Sequence, residues 1–147
     1  MWSEVQFPWR GDMKIELTEL EFRRLLDLAY IGNWILNSTR GVDRFIDYDK
    51  VESILFSYCI DCDMPTLVET SNGFARPSAA FENGGIHEAI ADYEDSVFFE
   101  ILAEELARRD MEFEPISQDN LVELTNRIDE YIEEFEQNGI DNISLDK

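Results

Sequence analysis

Histidine occurs once in the 147 residues, cysteine twice, lysine three times and proline four times. Each scarcity removes a class of chemistry. One His and two Cys leave few members for the catalytic and metal-binding arrangements that draw on those residues. Two Cys do not make the disulfide framework of a small secreted protein, and reduced thiols fit a cytoplasmic setting. With 12 Lys and Arg against 33 Asp and Glu, the net charge is -21. Direct binding to phosphate backbones needs clustered cations, so nucleic acid is not expected as a ligand. The longest greasy stretch, Leu25 to Leu36, is interrupted by Asp27, Gly32 and Asn33. It falls well short of the ~20 residues that cross a bilayer, so no membrane span is expected. The opening residues, MWSEVQFPWRGD, carry acids and aromatics early and do not resemble a secretory signal.

What is present argues for a folded chain. Apolar residues make up 44% and aromatics 12%, too much greasy surface for a disordered acidic tail. The length suits one domain. The expected organisation is an N-terminal aromatic extension over 1–13, with Trp2, Phe7 and Trp9, followed by a single acidic helical domain over 14–147.

Residues 14–17 read as a short strand. Thr18-Glu19-Leu20-Glu21 has the reciprocal capping spacing that starts a helix. Phe22, Leu25, Leu26, Ala29, Trp34, Ile35 and Leu36 give that helix a broad apolar face ending near Asn37 to Gly41. A second, antiparallel helix carries Val42, Phe45, Ile46, Val51, Ile54, Leu55, Tyr58, Cys59 and Cys62 as its apolar stripe, and Pro65 ends it. Asn72-Gly73 supplies the positive φ angles of a tight hairpin turn between 66–70 and 74–76. Beyond Asn83-Gly84-Gly85, a short helix over 86–93 and a longer one over 96–110 are expected, the latter capped by Asp95 or Ser96. Glu104 with Arg108, and Glu105 with Arg109, have the spacing of i,i+4 pairs on it. Residues 111–116 alternate like an edge strand. Residues 118–137 are the clearest amphipathic helix, with Leu121, Leu124, Ile128, Tyr131, Ile132 and Phe135 inward and Asn138-Gly139 as its stop. The fold class is therefore mainly α, a bundle of about five helices with a small β hairpin or minor sheet; α+β is the alternative.

The charge is unevenly spread. Residues 1–81 hold 13 acids and 8 bases, whereas 82–147 hold 20 acids and 4 bases. In helix 118–137, Asp129, Glu130, Glu133, Glu134 and Glu136 crowd the last turns. There the helix dipole disfavours them, and i,i+4 repulsion such as Asp129 with Glu133 adds to the cost. A sequence selected only for stability would place Lys or Arg there. The plain explanation is a solvated face, since a compact chain of this mass exposes about 7,800 Å². Salt adaptation is another. The functional explanation is a docking surface for a basic protein, built from Glu123, Asp129, Glu130, Glu133, Glu134 and Glu136 together with Glu100 and Glu104, with Trp2 and Trp9 as a second contact. A narrower version is mimicry of nucleic acid, inhibiting a DNA- or RNA-handling enzyme. One helix supplies about one net charge per ~5 Å against one per ~1.7 Å in duplex DNA, so mimicry needs acids from several elements on one face.

Other constellations lack parts. Cys59-Ile60-Asp61-Cys62 has the spacing for a metal or a thiol exchange, but it sits at a helix C-terminus among acids, which raise thiol pKa. A zinc site would have to recruit His87 and a carboxylate; this small metal or thiol protein is the alternative from another class. His87-Glu88 opens like a zinc-protease motif, but Ala91 stands where the second His belongs. Asn83-Gly84-Gly85 could present amides to a phosphate, yet Glu82 and Glu88 flank it and would repel the anion. Asp92 with Asp95, or Glu100 with Glu104, could hold Mg²⁺ or Ca²⁺ only weakly. The sequence thus points to a small acidic, non-catalytic interaction protein with no catalytic residues and no cofactor. Its expected partner is a basic protein surface, without direct nucleic-acid or membrane binding. A symmetric homodimer stays open on general grounds.

Overall fold

A computed structural model describes residues 12–145. Trp2 and Trp9, and with them the proposed aromatic contact, lie outside the described residues. The architecture is mainly helical with one two-stranded antiparallel sheet. The chain divides into two compact units at Asn83 and Gly84, close to where the sequence changes from mixed to strongly acidic charge.

The first unit opens with α1 (Glu19–Asn37), started by Thr18 and Glu21, which cap each other's backbone as their spacing requires. Residues 14–17 are not a strand: a strand needs a partner for its backbone, and among the described residues only 68–71 and 74–77 pair. The buried residues of α1 are Phe22, Leu26, Tyr30, Asn33 and Asn37, a stripe at steps of three and four in which two members are polar. Ile35, expected inside, is 63% exposed. Next comes α2 (Ile46–Ser57), shorter than the 42–62 stripe suggested. Cys59 and Cys62 lie in the turn after it. Pro65–Leu67 forms one tight helical turn that leads into β1 (Val68–Ser71) and β2 (Phe74–Pro77). Asn72 (φ 51°) and Gly73 (φ 79°) make the hairpin turn as expected. Ser78 caps the short α3 (Ala79–Phe81) and brings Phe81 into the core. The Phe81 ring meets Phe56 edge-on at 4.9 Å and Tyr30 at 5.2 Å, and the Arg23 guanidinium lies over it at 4.8 Å.

The second unit is a helical hairpin. Gly85 (φ 102°) kinks the chain before α4 (His87–Asp110). The two helices expected over 86–93 and 96–110 are one. Ser96 is not a cap: its hydroxyl donates to the Asp92 carbonyl one turn back, and neither Gly nor Pro interrupts the helix between them. Residues 111–116 are not a strand either. Glu112 and Phe113 take positive φ (55° each), and the Phe113 amide returns to the Arg108 carbonyl, so the segment closes the end of α4. The last helix is α5 (Leu121–Asn138), stopped at Gly139 (φ 57°). It packs on α4, where Ala103 and Ala107 are fully buried beside Leu124 and Phe135. Two alanines let the helix axes approach, and the Phe99 and Phe135 rings meet at 5.5 Å.

Candidate functional site

Two loci stand out, one in each unit. In the second, α5 turns Leu124 and Phe135 inward while Asp129, Glu130, Glu133 and Glu136 are exposed. Asp129, Glu133 and Glu136 follow one another at i, i+4 and i+7, which at ~100° per residue places them on one solvent-facing stripe. Glu123, Glu130 and Glu134 follow the neighbouring flank, where Glu123 pairs with Arg127 at 2.8 Å. Glu134 accepts from Asn138 at 2.9 Å and from Asn142 at 2.6 Å. Among the described residues, no cation forms an ion pair with Asp129, Glu130, Glu133 or Glu136, and the last turn of α5 holds no base.

Glu100 and Glu104 are exposed one turn apart on α4. The two i,i+4 pairs expected there do not form. Arg108 approaches Glu105 at 3.9 Å, and Arg109 turns to Asp110 at 2.8 Å, drawn by a carboxylate that the Tyr131 hydroxyl of α5 also donates to. These bonds hold Asp110 below the usual carboxylate range, Tyr131 first and Arg109 second.

The thiols and the imidazole show a different arrangement. Cys59 is fully buried and Cys62 half-buried, both free. Burial, and then the neighbouring Cys62, push the Cys59 thiol above its ordinary value, which disfavours the thiolate that redox or metal chemistry needs. His87 opens α4 in the other unit. Among the described residues no group of three or more His, Cys, Asp or Glu side chains is placed to hold a metal ion.

The locus that the sequence did not reveal is a cleft of about 600 Å³ in the first unit, between α2 and the hairpin. Asp49 in its lining is held by a network that starts at the two polar residues of α1. Asn37 is 1% exposed; its amide donates to Asn33 at 2.7 Å and to the Phe45 carbonyl at 3.1 Å, and it accepts from the Phe45 amide at 2.8 Å. Asn33 donates to Asp49 at 3.0 Å, and Arg44 grips the same carboxylate with two bonds, at 2.9 and 2.6 Å. Together these hold Asp49 below its ordinary value, Arg44 first. One helical turn on, Glu52 is pushed above its ordinary value, mainly by burial, with Asp49 and Glu82 adding to the effect and Asn33 and Arg44 opposing it. At the rim the Tyr30 hydroxyl donates to Glu82 at 3.2 Å. Burial and then Glu82 raise that phenol.

The inner face of α2 thus runs Phe45, Asp49, Glu52, Phe56, Cys59, with two acids among five positions. The apolar stripe read from the sequence is corrected accordingly: Ile46 (62% exposed), Val51 (54%), Ile54 (58%) and Tyr58 (53%) face out, and Val42 is wholly exposed. Of that stripe Phe45, Leu55 and Cys59 keep an inward or half-buried place. The one signal available was that Asp49 and Glu52 stand seven and four residues before Phe56, in phase with it.

No family model, curated protein or solved structure matches this chain, so any functional reading stands on this geometry. No helix among the described residues is long and apolar enough to cross a membrane.

Proposed function

We propose that this is a non-catalytic interaction protein whose second unit docks on a basic protein surface, in the cytoplasm, where free thiols such as Cys59 and Cys62 stay reduced. The observation that supports the reading is the coincidence of charge with architecture. The unit from Gly84 on carries 19 acids against four bases, and on α5 the acids Asp129, Glu133 and Glu136 share a stripe with no cation paired to it among the described residues. Keeping acids together at the end of a helix costs stability through dipole and i,i+4 repulsion. A cationic partner would offset that cost on binding and would be steered to the surface from a distance.

The test compares capture of lysate proteins by the full chain and by a variant with Asp129, Glu133 and Glu136 changed to Lys. A control carries three equivalent reversals at exposed acids of the first unit, Asp12, Glu16 and Asp47. Docking through α5 requires that a basic protein be retained at low salt, released as ionic strength rises, and lost by the α5 variant alone. Capture indifferent to salt, or equal loss in the control, rejects the surface as the driver. Displacement of the captured protein by duplex DNA would mark the narrower reading, mimicry of nucleic acid.

A further inference from the structure

The cleft of the first unit combines features that a solvated surface does not need. Its volume, about 600 Å³, lies in the range of small-ligand sites. Its lining joins four carboxylates and three cations, Arg44, Lys50 and Arg76, to apolar walls that include Ile46, Phe74 and Pro77. Two of the carboxylates are already spoken for or balanced: Asp49 is gripped by Arg44, and Glu69 stands opposite Arg76 in the hairpin register. Glu52 and Glu82 have no ion pair among the described residues, and each receives only neutral donors, Asn33 and Tyr30 respectively.

Helix α2 gives a second, independent indication. It turns Asp49 and Glu52 inward while Val51, Ile54 and Tyr58 meet water. The orientation that buries Phe56 fully carries both acids inward with it. Arg44 and Asn33 compensate Asp49 for this; Glu52, with no cation paired to it among the described residues, has no such compensation, which marks a position where function outweighs stability.

We propose that this cleft binds an organic cation, an ammonium or guanidinium group on an alkyl stem, with Glu52 and Glu82 taking the charge and Phe74 and Pro77 covering the stem. A bare metal ion is a poor fit, because among the described residues no three carboxylates converge closely enough to ligate one. An elongated cation needs no such convergence: one carboxylate at the inner wall and one at the rim suffice, with the apolar side chains beside them to meet its stem. The same chemistry is offered by a free alkylamine and by a Lys or Arg side chain of a peptide. This site is separate from α5 and does not depend on the docking proposed there.

The experiment is an amide-shift titration of the full chain with three probes: agmatine, N-acetyl-arginine amide and the uncharged isostere N-acetyl-citrulline amide. Saturable shifts confined to α2 and the hairpin, with at least one cationic probe and not with the citrulline compound, are the result expected. Agmatine alone would assign the site to free amines; a response to the arginine amide would extend it to peptide side chains. Glu52→Gln and, separately, Glu82→Gln should each weaken binding about tenfold or more, the usual loss when a charge-assisted bond becomes neutral. The Asp129, Glu133 and Glu136 reversals should leave it unchanged. Shifts centred on α5, equal response to the citrulline compound, no saturable shift with either cation, or undiminished binding by both Gln variants would each overturn the assignment.

Discussion

At Asn37 one side chain satisfies three polar groups in a place water does not reach. It closes the α1 to α2 connection by bonding both backbone groups of Phe45, and it fixes Asn33, which in turn positions Asp49. Removing a buried partner leaves the other groups desolvated and unpaired, which costs more than the bond itself contributes. Asn37→Ala should therefore lower stability by about 2–3 kcal/mol, seen as a reduced urea midpoint. Glu52 works in the opposite sense. Its carboxyl titrates above its unfolded value because folding buries it, so the folded state disfavours its charge. That penalty is absent below the unfolded pKa, grows as pH rises through the interval up to the folded pKa, and is complete above it. Glu52→Gln should accordingly stabilise the protein at neutral pH, with the gain vanishing on acidification; thermal unfolding at a series of pH values checks this. Neither residue was legible beforehand, since an Asn in a helix and a Glu among many acids carry no periodic signal of their own.

At the scale of elements, several local rules worked where the residues that decide are close in sequence. The Thr18 and Glu21 cap, the Asn72-Gly73 turn and the Gly139 stop all form as their spacing requires. The inner residues of α1 and α5 keep helical period. Sequence reasoning failed where a distant group enters: residues 14–17 found no strand to join, and Arg109 turned from Glu105 to its neighbour Asp110, which the distant Tyr131 also bonds. Two substitutions test the helices. Gly32 lies within α1, and a Cβ there would meet nothing within 4 Å. Gly32→Ala should stabilise by about 1 kcal/mol through helix propensity alone, raising the melting temperature. Ala103 is fully buried where α4 meets α5, and Ala103→Leu should force the helices apart at a cost of about 1–3 kcal/mol, measured by urea unfolding.

For the whole molecule the dominant quantity is the net charge of -21. Self-repulsion of this size opposes compaction and is screened by salt: the Debye length falls from about 10 Å at 0.1 M to about 3 Å at 1 M. The melting temperature of the full chain should rise with added NaCl at pH 7, and more weakly for the variant in which Asp129, Glu133 and Glu136 become Lys, because that variant carries less of the repulsion. A melting temperature that ignored salt would show that the acids are too dispersed to act together.

Composition and spacing by themselves determined the helical class, the hairpin, the principal caps and the concentration of acid in the later half, because each depends on near neighbours or on simple counting. The tertiary structure decided which side of α2 faces inward, which carboxylates are gripped and which have no paired cation among the described residues, and that Cys59 is a buried thiol. Those outcomes turn on partners well removed along the chain, 52 residues for Tyr30 and Glu82 and 16 for Asn33 and Asp49. A buried hydrogen-bond network can outweigh hydropathy only once the chain has brought its members together.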